Sequence, residues 1–227
     1  NGKGINLNSS LGTTIGGSVV GGRNIISGNT GYGIDASWTN QSVWIAGNYI
    51  GLDVSGQSAI GNSGGGVNWF AADGGIRFGG TTEAERNVVA GNNGYGLVVS
   101  GPSGSITGNY FGVAADGITK VHNSGQGIFT GWSGLTIGGS SSAERNVVAD
   151  GILFNGNNHM IVGNYLGLGA DGFTDVSRTN GALVEVQSGT GSTIGGSSPG
   201  EGNIIATKAS VAISLGSSAT NVTIQGN

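Results

Sequence analysis

The stretch Ser105-Ile106-Thr107-Gly108-Asn109-Tyr110-Phe111, followed by Thr136-Ile137-Gly138-Gly139-Ser140 and Arg145-Asn146-Val147-Val148, contains the whole chain in miniature. An apolar residue is followed two positions later by glycine, then by a polar corner and a short β-branched or aromatic pair. The second block recurs as Ile15-Gly16-Gly17, Phe78-Gly79-Gly80 and Ile194-Gly195-Gly196. Seven residues after the first glycine of each comes Arg23-Asn24, Arg86-Asn87, Arg145-Asn146 or Gly202-Asn203. The first block recurs as Ile45-Ala46-Gly47-Asn48, Ile161-Val162-Gly163-Asn164 and Ile224-Gln225-Gly226-Asn227. Interleaved, the two kinds make one apolar column: Ile15, Ile45, Phe78, Ile106, Ile137, Ile161, Ile194 and Ile224. Its steps are 30, 33, 28, 31, 24, 33 and 30 residues, and glycine stands two positions after every member. The residue after that glycine alternates between Ser or Thr and Asn, so the true unit holds two unlike coils.

Each coil carries an earlier strand entered through a small residue, such as Gly33-Ile34, Gly66-Val67, Gly96-Leu97 or Gly127-Ile128. The first seven also carry a third, alternating between Asn-led pairs (Asn24-Ile25-Ile26, Asn87-Val88-Val89) and Tyr-led pairs (Tyr49-Ile50, Tyr110-Phe111). Short β-branched segments between Gly/Asn turns read as strands. No stretch has a helical period, and glycine at this density opposes helix. The expected fold is all-β: a right-handed parallel β-helix (solenoid) of about eight coils of roughly 30 residues, with three strands per coil and a two-coil superrepeat. A single coil cannot bury its inner face, but a stack can. At about 4.8 Å per coil the array rises roughly 40 Å. The glycine of each block is expected to supply a positive-φ corner, and stacked corner asparagines to form amide ladders.

Composition excludes several alternatives. Glycine is 50 of 227 residues, yet the apolar residues sit at fixed offsets, unlike a flexible linker. Only two prolines and no Gly-X-Y period exclude collagen. Charged residues are 9 %, far below the usual quarter, so the surface is hydroxyl- and amide-rich. Eight basic residues and a net charge of −4 argue against a nucleic-acid partner. With no cysteine, neither disulfides nor thiolate metal sites exist. No apolar run reaches the roughly 20 residues of a membrane span. Residues 1–227 read as one domain. The start at Asn1, and ends that show no polar cap, give the expectation that this is a segment of a longer array or a fibre that stacks on itself.

The blocks "TIGGSSSAERNVVA" (136–149), "ITGNYFGVAADG" (106–117) and "NTGYGI" (29–34) resemble the repeats of bacterial right-handed parallel β-helix proteins of the pectate-lyase-like superfamily, more narrowly its secreted or surface-anchored repeat proteins. That resemblance implies an extracellular or cell-surface location in a bacterium. It covers the whole chain and implies a fold rather than an activity, since that superfamily holds lyases, hydrolases, epimerases, tailspikes and non-enzymatic arrays.

Candidate sites are few. Arg23, Arg86 and Arg145 recur at one repeat position, which points to a structural task at the corner, bonding loop carbonyls. The long loops Gly51–Asn62, Gly112–Asn123 and Gly167–Asn180 carry Asp53, Asp116 and Asp171. Asp116 and Asp171 are the only metal candidates, weak ones, because carboxylates two coils apart cannot share one Ca²⁺ and Asp-Gly is also turn chemistry. Trp38, Trp44 and Trp132, with Trp69 nearby, could stack on sugar rings or simply cover coil edges. Lys120, His122, His159, Asp175, Arg178 and Glu185 break the repeat. If the chain is an enzyme, Lys120, Asp175 and Arg178 are its catalytic candidates, a base beside carboxylates between adjacent loops. No cofactor is indicated. The reading that follows is a non-enzymatic extracellular stalk, sheath or fibre segment, or an adhesin. Its alternative is a polysaccharide-active enzyme or a carbohydrate-binding, tailspike-like module. Ice binding fails because Trp44, Arg77 and Met160 interrupt the threonines of the outer column of strand two.

Overall fold

Strands of two to ten residues, each ended by a glycine- or asparagine-rich turn, leave the chain no option but to wind and stack. The computed structural model describes residues 2–19, 21–37, 42–70, 75–209 and 211–227. It is a parallel β-helix of about eight coils. The first sheet has eight strands, from Ile5–Asn6 through Leu97–Ser100 to Val211–Thr220. The second has eight, from Thr14–Gly16 through Leu135–Gly138 to Thr223–Gln225, and the third has seven, from Ile25–Ile26 to Ile204–Ile205. Every strand pairs in parallel with its equivalent one coil away. The sole helical turn among the described residues is a 3₁₀ turn, Glu83–Glu85.

Register follows the apolar column without a slip. Ile15 pairs with Ile45, Ile45 with Phe78, Phe78 with Ile106, and so through Ile137, Ile161 and Ile194 to Ile224. All are buried except Ile224 in the last coil. The first sheet contributes Ile34, Val67, Leu97, Ile128, Ile152 and Val184, and the third Ile26, Ile50, Val89, Phe111, Val148 and Leu166. Phe78 and Phe111 stack at 6.1 Å across the interior. Trp69 belongs inside this core, between Ala36 and Val99 in the first sheet, and so is no surface aromatic. Its Nε1 is buried without a partner among the described residues.

The corner between the second and third sheets is held by asparagine. Asn24, Asn48, Asn87, Asn109, Asn146, Asn164, Asn203 and Asn227 form one ladder, each Nδ2 donating to the next Oδ1 at 2.8–3.1 Å. Each Oδ1 also accepts the backbone N–H of the preceding rung. The second Nδ2 proton goes back to the column carbonyl of the coil before, as from Asn109 to Phe78 and from Asn146 to Ile106. An amide, with two donors and two acceptor sites, closes this set with nothing left over.

The corner glycines do not all act as expected. In even coils the glycine two places after the column residue takes positive φ, as at Gly47 (76°) and Gly108 (70°). In coils three, five and seven the left-handed residue is one place earlier: Gly79, Gly138 and Gly195. There Gly80, Gly139 and Gly196 are kept free of a side chain for another reason, because Glu85, Glu144 and Glu201 lie where a Cβ would project. Those glutamates close the corner loop: Glu85 Oε2 accepts the N–H groups of Thr81 and Thr82, and Glu144 Oε2 accepts the N–H and the hydroxyl of Ser141.

Two substitutions test this frame. Ile137→Ala, at a fully buried column position, is expected to cost about 2–5 kcal/mol in chemical unfolding. Asn109→Leu is expected to cost at least about 2 kcal/mol, because it strands the Asn87 amide and the Phe78 carbonyl inside the protein. A loss below half that value in denaturant melts would remove the ladder from its assigned role.

Candidate functional site

Over its central coils the outer face of the third sheet is covered, whereas Ile25 and Ile204 at its two ends are exposed. Three of the even coils each send out a hairpin, closed by the bridges Leu52↔Ala59, Val113↔Lys120 and Leu168↔Asp175. The hairpins bond directly to one another, Ala115 N–H to Gly56 O and Ala170 N–H to Gly117 O, both at 2.9 Å. Beneath them lies a second apolar cluster containing Tyr49, Val88, Tyr110, Val113, Val147 and Val176.

Within each hairpin an aspartate is occupied by its own turn. Asp116 Oδ1 accepts from Ile118 and Thr119 N–H, and Asp171 Oδ1 from Phe173 and Thr174 N–H. The Thr119 and Thr174 hydroxyls donate to the other oxygens. Asp53 does the same work two positions earlier, which is why Ser55 fills the shared offset. The Thr174 hydroxyl holds the Asp171 carboxyl below its ordinary range; at Asp116 burial pushes upward, and the Thr119 and Ile118 donors outweigh it. No group of three or more His, Cys, Asp or Glu poised for a metal occurs among the described residues.

The recurring arginines bond corner carbonyls: Arg23, Arg86 and Arg145 Nε to Gly47, Gly108 and Gly163 O at 3.1–3.3 Å. Each guanidinium also lies over a tyrosine of the next coil, Tyr49, Tyr110 or Tyr165, at 4.1–4.3 Å. The repeat thus fixes the side of the second cluster with cation–π contacts.

Of the tryptophans, Trp38 lies outside the described residues. Trp44 is on the outer face of the second sheet, but Arg77 covers its ring at 3.9 Å and its Nε1 donates to Gly79 O. Trp132 is exposed and meets Phe70 edge-on at 5.6 Å. Tyr95 and Phe129 stack nearby in the chain at 5.5 Å.

The repeat-breaking residues divide into two groups. His159 is wholly buried: its Nδ1 accepts the Leu135 N–H and its Nε2 donates to Asn155 O, so it is a neutral structural histidine. Glu185 lies apart on the outer face of the first sheet, accepting from Gln187. Lys120, His122, Asp175 and Arg178 are gathered at one place, between the second and third hairpins.

The repeat explains how they meet. A second ladder runs Asn29, Asn62, Asn92, Asn123, with the same Nδ2-to-Oδ1 bonds at 2.8–2.9 Å. Its next rung is Asp150, whose Oδ2 accepts both the N–H and the Nδ2 of Asn123. The rung after that is Arg178, whose Nη1 donates to Asp150 O at 3.0 Å. An aspartate ends an amide ladder cleanly, since it accepts from Asn123 and offers no donor toward Arg178. In coils one and three, the inward residue of the first sheet comes five positions after the rung (Asn29 to Ile34, Asn92 to Leu97); in coil five it comes only two positions after, Asp150 to Ile152. The three missing residues leave a cleft of about 290 Å³ lined by Lys120, His122, Asp150, Ser177, Arg178 and Asn180.

Charges alternate along it. Lys120 Nζ lies 3.4 Å from Asp175 Oδ2, and Lys208 Nζ 2.8 Å from the same oxygen. Lys208 first, and then the Ser177 hydroxyl, hold the Asp175 carboxyl well below the usual carboxylate range. His122 Nδ1 is 2.6 Å from Oδ1 of Asp150, a carboxylate 1 % exposed, while the histidine itself is partly open. Asp150 was missed in the sequence. Its signals were an aspartate at an asparagine position and the short, 24-residue step from Ile137 to Ile161.

No family model, curated protein or solved structure matches the chain.

His159 gives a pH test. Burial lowers its pKa, so the folded protein keeps it neutral while the unfolded chain takes up a proton below about pH 6.5. Its contribution is complete above that pH and is lost as pH falls through the folded value. The stability gap between the native protein and His159→Gln is expected to narrow from pH 7 to pH 5 in urea melts. A gap constant with pH would mean that the ring is not held neutral.

Proposed function

We propose that this chain is a non-enzymatic structural or adhesive β-helix of the secreted or surface-anchored type, within the bacterial pectate-lyase-like superfamily. The observation that carries the reading is the unbroken eight-rung amide ladder, from Asn24 to Asn227. The repeat's recurring chemistry (ladder, Arg–Tyr pairs, self-capped hairpins) goes into stiffness along the axis rather than around one centre. An extracellular setting accords with a charge-poor, hydroxyl-rich surface.

Self-stacking belongs to the same reading. The ladder is polar, each rung donating Nδ2 to the next Oδ1, so a coil of the first kind can follow one of the second without a mismatch. The last coil also exposes Val211, Leu215 and Ile224. Light scattering is expected to show growth with concentration that Ile224→Lys suppresses. A monomer of unchanged mass at high concentration would remove end-to-end stacking from the proposal.

A second reading, polysaccharide binding or cleavage, is favoured by one observation: Lys120 and Arg178 line the cleft and Asp175 pairs with Lys120 beside it, with the exposed Trp132 elsewhere as a stacking surface. The structural reading expects no unsaturated products from pectate or alginate, with or without Ca²⁺. Product release abolished by Lys120→Ala would replace it with the enzymatic one.

A further inference from the structure

We propose that the cleft between the second and third hairpins is a binding site for a doubly charged phosphate-type group, received by Lys120, His122 and Arg178. The site goes beyond the structural reading and does not depend on it.

Three observations carry the inference. The first is cation convergence. The chain has eight Lys and Arg residues and a net charge of −4, yet Lys120 and Arg178 line this cleft with one of its two histidines, and Lys208 pairs with Asp175 beside it. With Lys208 and Asp175 paired beside the cleft, Lys120 and Arg178 face a single buried carboxylate, Asp150, and a bound anion offsets the excess positive charge.

The second is unspent donors. Arg178 uses Nη1 on Asp150 O, and its remaining N–H groups have no partner among the described residues. Lys120 gives two protons, to Asp175 and to Ser177 O, and keeps a third. His122 is held through Nδ1 by the buried Asp150 carboxylate, and its Nε2 has no partner among the described residues. A buried carboxylate fixing the far side of a histidine aims the other nitrogen outward. The donors come from two successive hairpin loops and line one cleft, and charge-assisted N–H donors gathered in this way favour an oxyanion carrying more than one charge.

The third is that hairpins of this type close and stack without cationic groups at these positions. At the corresponding positions the first hairpin has Ala59, Gly61 and Asn62, and it stacks with the same backbone bonds. The second and third hairpins put Lys120, His122 and Arg178 there, where coil five has lost three residues and opened the space. Ser177, Thr179 and Asn180 on the rim offer hydroxyl and amide groups to whatever carries the phosphate.

The two histidines make the test direct, since buried His159 serves as an internal control. Imidazole nitrogen and proton resonances of the intact chain would be followed by NMR during titration with inorganic phosphate, glucose 6-phosphate, sulfate and acetate. Saturable shifts of His122 with the three dianions, at fixed His159, are expected. Tighter binding of glucose 6-phosphate than of inorganic phosphate would assign the site to a phosphorylated sugar, and the reverse to the free ion; either order supports the site. Arg178→Gln and, separately, Lys120→Gln should each weaken phosphate binding about tenfold or more, the loss of one charge-assisted contact. An unmoved His159 resonance certifies the fold of each variant. The proposal is overturned by an unresponsive His122, by acetate binding as tightly as sulfate, or by variants that bind like the parent.

Discussion

A parallel stack of coils must turn its backbone sharply three times per coil, and each turn leaves amides that no sheet can satisfy. The asparagine at the corner between the second and third sheets resolves this. Its side chain is another amide, so a column of them repeats the sheet's own donor-to-acceptor pattern at the spacing of the strands. Because each Nδ2 also reaches back to the column carbonyl of the previous coil, the ladder sets the register of the second sheet as well as the corner. The apolar column then has no freedom to slip, and the inward residues of all three sheets meet in one core.

From that constraint the rest of the repeat follows. Odd coils reach the ladder asparagine through a longer loop, which Glu85, Glu144 or Glu201 must close. Even coils reach it at once and extend their slack after the third strand, as the hairpins. The hairpins cover the outer face of the third sheet and create a second apolar cluster, and the Arg–Tyr contacts seal its side. Two coil types are therefore needed because the loops of successive coils would otherwise compete for the same corner.

The fold was legible because it rests on periodic residues. The column from Ile15 to Ile224, its strand registers, the ladder and the turn role of Asp116 and Asp171 could all be read from spacing. What spacing did not give was the division of labour between Gly79 and Gly80, since two adjacent glycines look alike until a glutamate side chain is found lying against one of them. Nor could it place Trp69 inside, because strand one sits at variable distance from the column. The hairpins' contact with one another across an intervening coil was hidden for the same reason. For the cleft, Lys120, Asp175 and Arg178 stood out as departures from the repeat. Asp150 did not, because one extra oxygen in place of an amide nitrogen is a small change in a chain rich in both residues.

That small change has the largest local consequence. Along the second ladder the rungs pass from asparagine to Asp150 to Arg178, and the hydrogen-bonded column becomes a charged one. Continuing the amides would have cost nothing, as the first ladder does so through all eight coils. Ending them buries a carboxylate, which is tolerable only because Asn123 and His122 surround it with donors. A neutral ladder keeps its polar atoms inside and presents nothing to solvent. A carboxylate rung takes up a histidine from one side and holds it at the surface, beside an arginine that the next coil supplies. In a molecule whose other charges are mostly engaged by its own corners, this is where the repeat stops serving only itself.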